Sequence, residues 1–126
     1  MKATVLVFAG LLGVLIFACS SRADFRSAKD IQRECRLALA VLQGSAKDNS
    51  TNSLLAGECI GYVQGAVDAS SALAENVSWY KLCAPDNLST QLLIQKFIVF
   101  VDANPKYTLA STAIQMMLAQ ECPCRK

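Results

Sequence analysis

Three groups of side chains in this sequence could do chemistry: six cysteines (Cys19, Cys35, Cys59, Cys83, Cys122 and Cys124), an acid set inside an apolar helical pattern (Asp68), and an adjacent aromatic pair (Trp79-Tyr80). Cysteines act as metal ligands, nucleophiles, redox centres or covalent staples. The chain has no histidine, which removes Ser-His-Asp and Cys-His nucleophile systems, the His-Glu-x-x-His zinc helix and imidazole general bases. No Cys-x-x-Cys pair occurs either, so zinc and thioredoxin-type spacings are missing and structural disulfides are the expectation. Asp68 alone is not a mechanism. Glycosidase-like chemistry needs two carboxylates, and Glu58, ten residues upstream, would stand about 15 Å away along a helix. Glu75 lies toward the other end of the same segment. No enzyme activity, metal or cofactor is therefore expected.

Trp79-Tyr80 falls outside any periodic stripe, and two readings stay open. The rings either anchor a partner or fold over the core from a loop tied down at Cys83. The polar stretch 43–53 is a second candidate surface.

The elements that must hold these groups sit behind a leader. Lys2, an uninterrupted apolar run from Ala3 to Ala18, and Ser21-Arg22-Ala23 have a signal peptide's anatomy, with cleavage expected between Ala23 and Asp24. Residues 1–23 are thus read as a signal peptide and 24–126 as one domain. Two alternatives stand beside this: an uncleaved anchor, although the run falls short of about 20 residues, and a lipobox reading of Ile16-Phe17-Ala18-Cys19, with Cys19 acylated and the protein tethered to the outer membrane. Only in the anchored or lipidated cases would the protein be held at a membrane.

The whole chain has 126 residues and a formal charge of +2. Removing Lys2 and Arg22 with the leader leaves 10 Lys/Arg against 10 Asp/Glu. A neutral domain without a basic stripe is not expected to bind nucleic acid. At about 100 residues its core is marginal, and oxidation of the cysteines in an extracytoplasmic compartment is the expected reinforcement.

Apolar residues after residue 24 recur at helical spacing, so the fold class expected is all-α, with four helices. The first begins at Ser27 with Asp30 three residues on, places Ala28, Ile31, Cys35, Ala38, Leu39 and Leu42 on one face, and ends at Gly44. The second runs from about Ser53 to Ala74 and carries Gly57, Gly61 and Gly65 four residues apart. Each interior glycine costs about 0.5–1 kcal/mol relative to alanine, so the stripe predicts a close helix contact. Asp68 and Ala72 continue that stripe, with Asp68 expected to accept a hydrogen bond across the contact. Cys59, Tyr62, Val63 and Ala66 form the neighbouring apolar face. Residues 75–87 read as irregular. A third helix is expected over Ser89–Ala103, with Leu93, Phe97, Phe100 and Val101 inward and a stop at Asn104-Pro105. A fourth is expected over Thr108–Gln120, presenting Leu109, Ala113, Met116 and Met117.

Taken in order, Cys59-Ile60-Gly61-Tyr62-Val63-Gln64-Gly65-Ala66-Val67-Asp68, Cys83-Ala84-Pro85, a helix closed by Asn104-Pro105, and a terminal Pro123-Cys124 resemble the Rap/Tai family of immunity proteins. In that family a Cys-x-Gly-Tyr-x-x-Gly-x-x-Asp helix precedes a Cys-x-Pro turn, a proline-closed helix and a C-terminal Pro-Cys. The likeness covers about residues 30–124 and includes an upstream cysteine, here Cys35. Cys122 is one cysteine more than the usual four. The resemblance implies a periplasmic, non-enzymatic protein that binds and occludes a type VI secretion peptidoglycan amidase.

The five cysteines after the leader allow about 15 arrangements of two bridges. Cys35–Cys59 is the first choice, because it would clamp an antiparallel helix pair and close a loop worth about 3–3.5 kcal/mol on the loop-entropy model. Cys83–Cys124 is the second, leaving Cys122 free, in an intermolecular bridge, or in place of Cys124. A homodimer through the glycine stripe or Cys122 stays open. The competing function is a small periplasmic or outer-membrane-tethered structural or carrier module with no effector partner.

Overall fold

The computed structural model describes residues 25–77, 80–83 and 88–122. Four helices account for most of them: α1 (Ala28–Leu42), α2 (Ser50–Asn76), α3 (Thr90–Ala103) and α4 (Ala110–Glu121). Every helix packs against every other, with the α1–α2 pair the most extensive contact. Among the described residues, no helix is long and apolar enough to cross a membrane.

Local chemistry sets the helix ends. The Ser27 side chain accepts from the Asp30 N–H at 3.1 Å and its hydroxyl donates to the Asp30 carboxylate at 2.7 Å, a reciprocal arrangement that satisfies donors α1 itself leaves unpaired. Gly44 stops α1 in the left-handed region at φ +70°, where a glycine meets no Cβ penalty. Asn49 caps α2 by accepting from the Asn52 N–H at 2.9 Å. This moves the start of α2 three residues ahead of the expected Ser53, because a capping carboxamide outweighs the low helix propensity of the Ser-Thr-Asn-Ser stretch. At its other end α2 continues to Asn76, so the irregular connection starts later than 75. Ser89 caps α3, and Asn104 closes it, its side-chain amide donating to the Phe100 carbonyl at 2.9 Å.

The fourth helix has no side-chain cap. Its first N–H, from Ala110, instead donates to the Arg26 carbonyl at 3.1 Å, while the Ala28 N–H donates to the Thr108 carbonyl at 2.7 Å. The N-termini of α1 and α4 thus satisfy one another across an isolated antiparallel bridge, Ser27 to Leu109.

Phe97, Ile31, Ile94, Ile114, Met117 and Leu118 are the largest side chains sealed from solvent. Of the expected inward positions, Leu42 is 56%, Leu109 41% and Met116 36% exposed. Leu42 lies in the last turn of α1, and Leu109 precedes α4 on the bridge, so neither has a facing helix. On α4 the buried stripe is Ala110, Ala113, Ile114, Met117 and Leu118, one position round from Met116. Ile94 and Ile98 join the expected inward face of α3.

Candidate functional site

Cys35 on α1 and Cys59 on α2 are both fully buried and joined by a disulfide, their Cα atoms 5.1 Å apart. The bridge sits within the largest helix contact and fixes α2 by the face that carries Cys59 and Val63. Cys83 is also disulfide-bonded, and its other half lies outside the described residues, as does the expected pairing with Cys124. Cys122, at the end of α4, is a buried free thiol. Burial pushes its pKa up, the Glu121 charge pushes the same way, and Lys96 opposes both.

The opposite face of α2 is bare. Gly57, Gly61 and Gly65 are exposed, and a Cβ placed on any of them would meet nothing within 4 Å. The close helix contact expected from their spacing is therefore not made among the described residues. At 100° per residue, Cys59, Val63 and Ser70 project to the side away from the glycines, and it is this side that α1 and the other helices bury. Asp68 follows the glycines into solvent. Among the described residues its carboxylate has no hydrogen-bond partner, so the contact expected for it is also absent. Tyr62 and Ala66 pack half-buried against the core, as neighbours of the buried face.

Beside the bare face, a surface cleft of about 330 Å³ opens between α2 and the start of α3, lined by Gln64, Val67, Asp68, Leu88, Thr90 and Leu93. The Gln64 amide closes part of it by donating to the Thr90 hydroxyl at 2.8 Å. A second cleft, of about 380 Å³, runs between α3 and the end of α4. Val99, 66% exposed, lines it beside the Lys96–Glu121 ion pair. Tyr80, in the α2–α3 connection, is half-buried, and its N–H donates to the Val77 carbonyl at 3.0 Å. Pro105 forms the turn after α3, next to Tyr107, which stacks on Phe100 with centroids 5.7 Å apart. Trp79, Pro85, Pro123, Cys19 and the Ala23-Asp24 junction lie outside the described residues.

Two polar networks carry no sequence signal of their own. Gln32, buried on α1, donates to the Ile98 carbonyl at 2.9 Å and to the Asp102 carboxylate at 2.8 Å, and Arg36 pairs with the other Asp102 oxygen at 2.6 Å. These donors hold the Asp102 carboxyl below its ordinary pKa, Gln32 contributing most. On the other side of α1, Arg26 pairs with the buried Glu34 and reaches Glu58 on α2 at 3.6 Å. The side chains of Gln32 and Glu34 come from the flanks of the apolar stripe, where periodicity alone reads a polar residue as solvated. Both networks tie helices together, and the acids in them face basic partners rather than one another. Among the described residues, no three His, Cys, Asp or Glu side chains converge in a cluster that could hold a metal.

This geometry is that of a stapled helical scaffold presenting an exposed glycine-lined helix face and surface clefts, and among the described residues its acids face basic or amide partners or solvent rather than one another. No curated protein and no solved structure gives a significant match. A family model does: that of the Rap1a immunity proteins aligns with residues 27–124, from the cap of α1 to the far end of the described fold and beyond. With more than three quarters of its length so matched, the chain belongs to the Rap1a immunity protein family, a non-enzymatic family whose members imply a cognate toxin.

Proposed function

We propose that this protein is a periplasmic immunity protein that binds a type VI secretion peptidoglycan amidase and blocks its active site sterically. The observation that carries the reading is the family match over residues 27–124, and the Cys35–Cys59 disulfide supports an extracytoplasmic home, since such bridges persist in oxidising compartments. On this reading residues 1–23 are a cleaved signal peptide and the mature domain folds after export.

The contact surface we assign is the outward face of α2 together with the α2–α3 connection that carries Trp79 and Tyr80. Three exposed glycines lower helix stability without any compensating contact among the described residues. Such a face is flat enough for a partner's backbone to approach closely, and an adjacent aromatic pair is a typical source of binding energy.

The test is protection. Peptidoglycan amidase effectors, each sent to the periplasm of a sensitive bacterium, should lyse cells, and co-expression of this protein with its leader should restore growth against its cognate one. Deleting residues 2–23 should abolish rescue by retaining the inhibitor in the cytoplasm. Lysis that continues unchanged with the exported protein present overturns the reading.

A further inference from the structure

Charge is divided unevenly between the helices. α2 holds Glu58, Asp68 and Glu75 and no lysine or arginine, whereas the shorter α1 holds Lys29, Arg33 and Arg36. Elsewhere the acids are matched: Asp30, Glu34, Glu58, Asp102 and Glu121 each pair with a basic side chain, and Asp48 accepts from the Ser53 hydroxyl. Asp68 and Glu75 are both exposed, and among the described residues neither carboxylate has a cation or hydrogen-bond donor. Seven residues apart on a helix, the two lie on nearly the same line.

Asp68 differs from Glu75 in standing over a cleft. The opening of about 330 Å³ between α2 and the start of α3 has Val67, Leu88 and Leu93 as its apolar lining and Gln64, Asp68 and Thr90 as its polar groups. Leu93 is buried, and Val67 and Leu88 pack half-buried against the core, so the apolar part belongs to the fixed body of the fold. Gln64 spends an amide N–H on the Thr90 hydroxyl, which keeps its carbonyl oxygen as an acceptor one helical turn before Asp68. Asp68 is the one charged group in the lining.

We propose that this cleft receives a basic side chain, an arginine or a lysine, presented by the partner protein, with Asp68 as the carboxylate that pairs with it. The proposal rests on the immunity reading for the identity of that partner, the toxin. A lysine or arginine side chain fits because its long apolar stem can lie on Val67, Leu88 and Leu93 while its charged end reaches the rim. A metal ion does not fit, since one carboxylate supplies too few ligands, and among the described residues no cluster of three metal-binding side chains occurs. The neighbouring glycines let the partner's backbone come close to α2, and docking would remove Asp68 from water, where a charge pair gains strength. Glu75, two turns further along, favours a partner surface of the same sign. The charge therefore selects among partners that the flat glycine face alone would admit.

A first test needs no toxin, so its failure is separate from failure of the immunity reading. The oxidised, nitrogen-15-labelled mature protein is titrated with N-acetylarginine amide in low salt and followed by amide NMR. Resonances of Gln64, Asp68 and Thr90 should shift and saturate, and added salt should weaken the effect. N-acetylcitrulline amide, the uncharged counterpart, should leave them in place, as should the arginine probe added to Asp68→Asn. Equal shifts from both compounds, shifts retained in Asp68→Asn, or no shift at the cleft across the titration overturn the proposal. The amidase identified by protection provides the second test. Asp68→Asn should weaken its binding by about tenfold or more with an unchanged thermal midpoint, because the exposed carboxylate makes no contact that the fold needs. Asp68→Arg should abolish binding, and an acidic substitution of one basic residue of the amidase should restore it. Unchanged affinity in Asp68→Asn overturns the proposal, as does lost affinity that tracks lost stability.

Discussion

The two faces of α2 differ as much as any two surfaces in the molecule. One carries Cys59, Val63 and Ser70, all fully buried, and is bolted to α1 by a disulfide. The other carries three exposed glycines, at which an added Cβ would meet nothing among the described residues, and the exposed Asp68. A helix of 27 residues, about 40 Å long, is thus stabilised from one side only. The lesson is a division of labour: the inward face supplies enough stability for the outward face to be poor in it. Changes to the two faces should have opposite signs.

Breaking the inward face should have the largest effect. Replacing both Cys35 and Cys59 with serine should lower unfolding free energy by about 2–5 kcal/mol, read as a fall in the urea midpoint. A drop under about 0.5 kcal/mol would mean that packing alone holds α1 to α2. Next, Val63→Ala removes two methyl groups from a fully buried site and should cost about 1–3 kcal/mol. The outward face should respond the other way. Gly61→Ala meets open space and should raise stability by about 0.5–1 kcal/mol, visible as a higher thermal midpoint. If that variant also protects cells less well against the amidase, the face is a contact surface, and unchanged protection would confine the contact to the α2–α3 connection.

The smallest effect concerns the α1–α3 seam, away from both faces. The Asp102 carboxyl titrates below its ordinary value because Gln32, then Arg36, donates to it. A depressed folded pKa gives a contribution that is present above the unfolded carboxylate value, about 3.9, and is lost as pH falls through the folded value. The advantage of the wild type over Asp102→Asn should therefore be small at neutral pH and vanish in acid, as followed by urea midpoints across pH. An advantage that grows on acidification would contradict the hydrogen-bonding account.

Most of the fold was legible because amphipathic spacing and caps are local. Ser27 with Asp30, Ser89, and Asn104-Pro105 set boundaries that the structure keeps within a residue or two. The Cys35–Cys59 pairing followed from two cysteines on facing apolar stripes. The three polar residues after Asn49 read as loop and move the expected start of α2 to Ser53, although the Asn49 side chain makes the cap. The glycine stripe departs from its expected close contact for a deeper reason. Spacing reveals that Gly57, Gly61, Gly65 and Asp68 share a face, but whether that face is filled depends on where the Cys59 stripe docks, and a single helix's periodicity does not contain that information. The buried Gln32 and Glu34 were invisible for the same reason, since their partners Asp102 and Arg26 come from elsewhere in the chain.

The clasp between Ser27 and Leu109 bears on when the protein can fold. Its two strands of backbone are about eighty residues apart in sequence, so closing it is a long-range event that comes late and slowly compared with forming any one helix. Until then the first N–H of α1 and the first N–H of α4 lack these carbonyl partners and depend on water. A nascent chain lacking its last helix also lacks the part of the core that Ala113, Ile114, Met117 and Leu118 fill, and so has no finished core to obstruct passage through a narrow export channel. On the export reading, the same pair of backbone bonds that joins the ends of the domain also delays its completion until synthesis is nearly over.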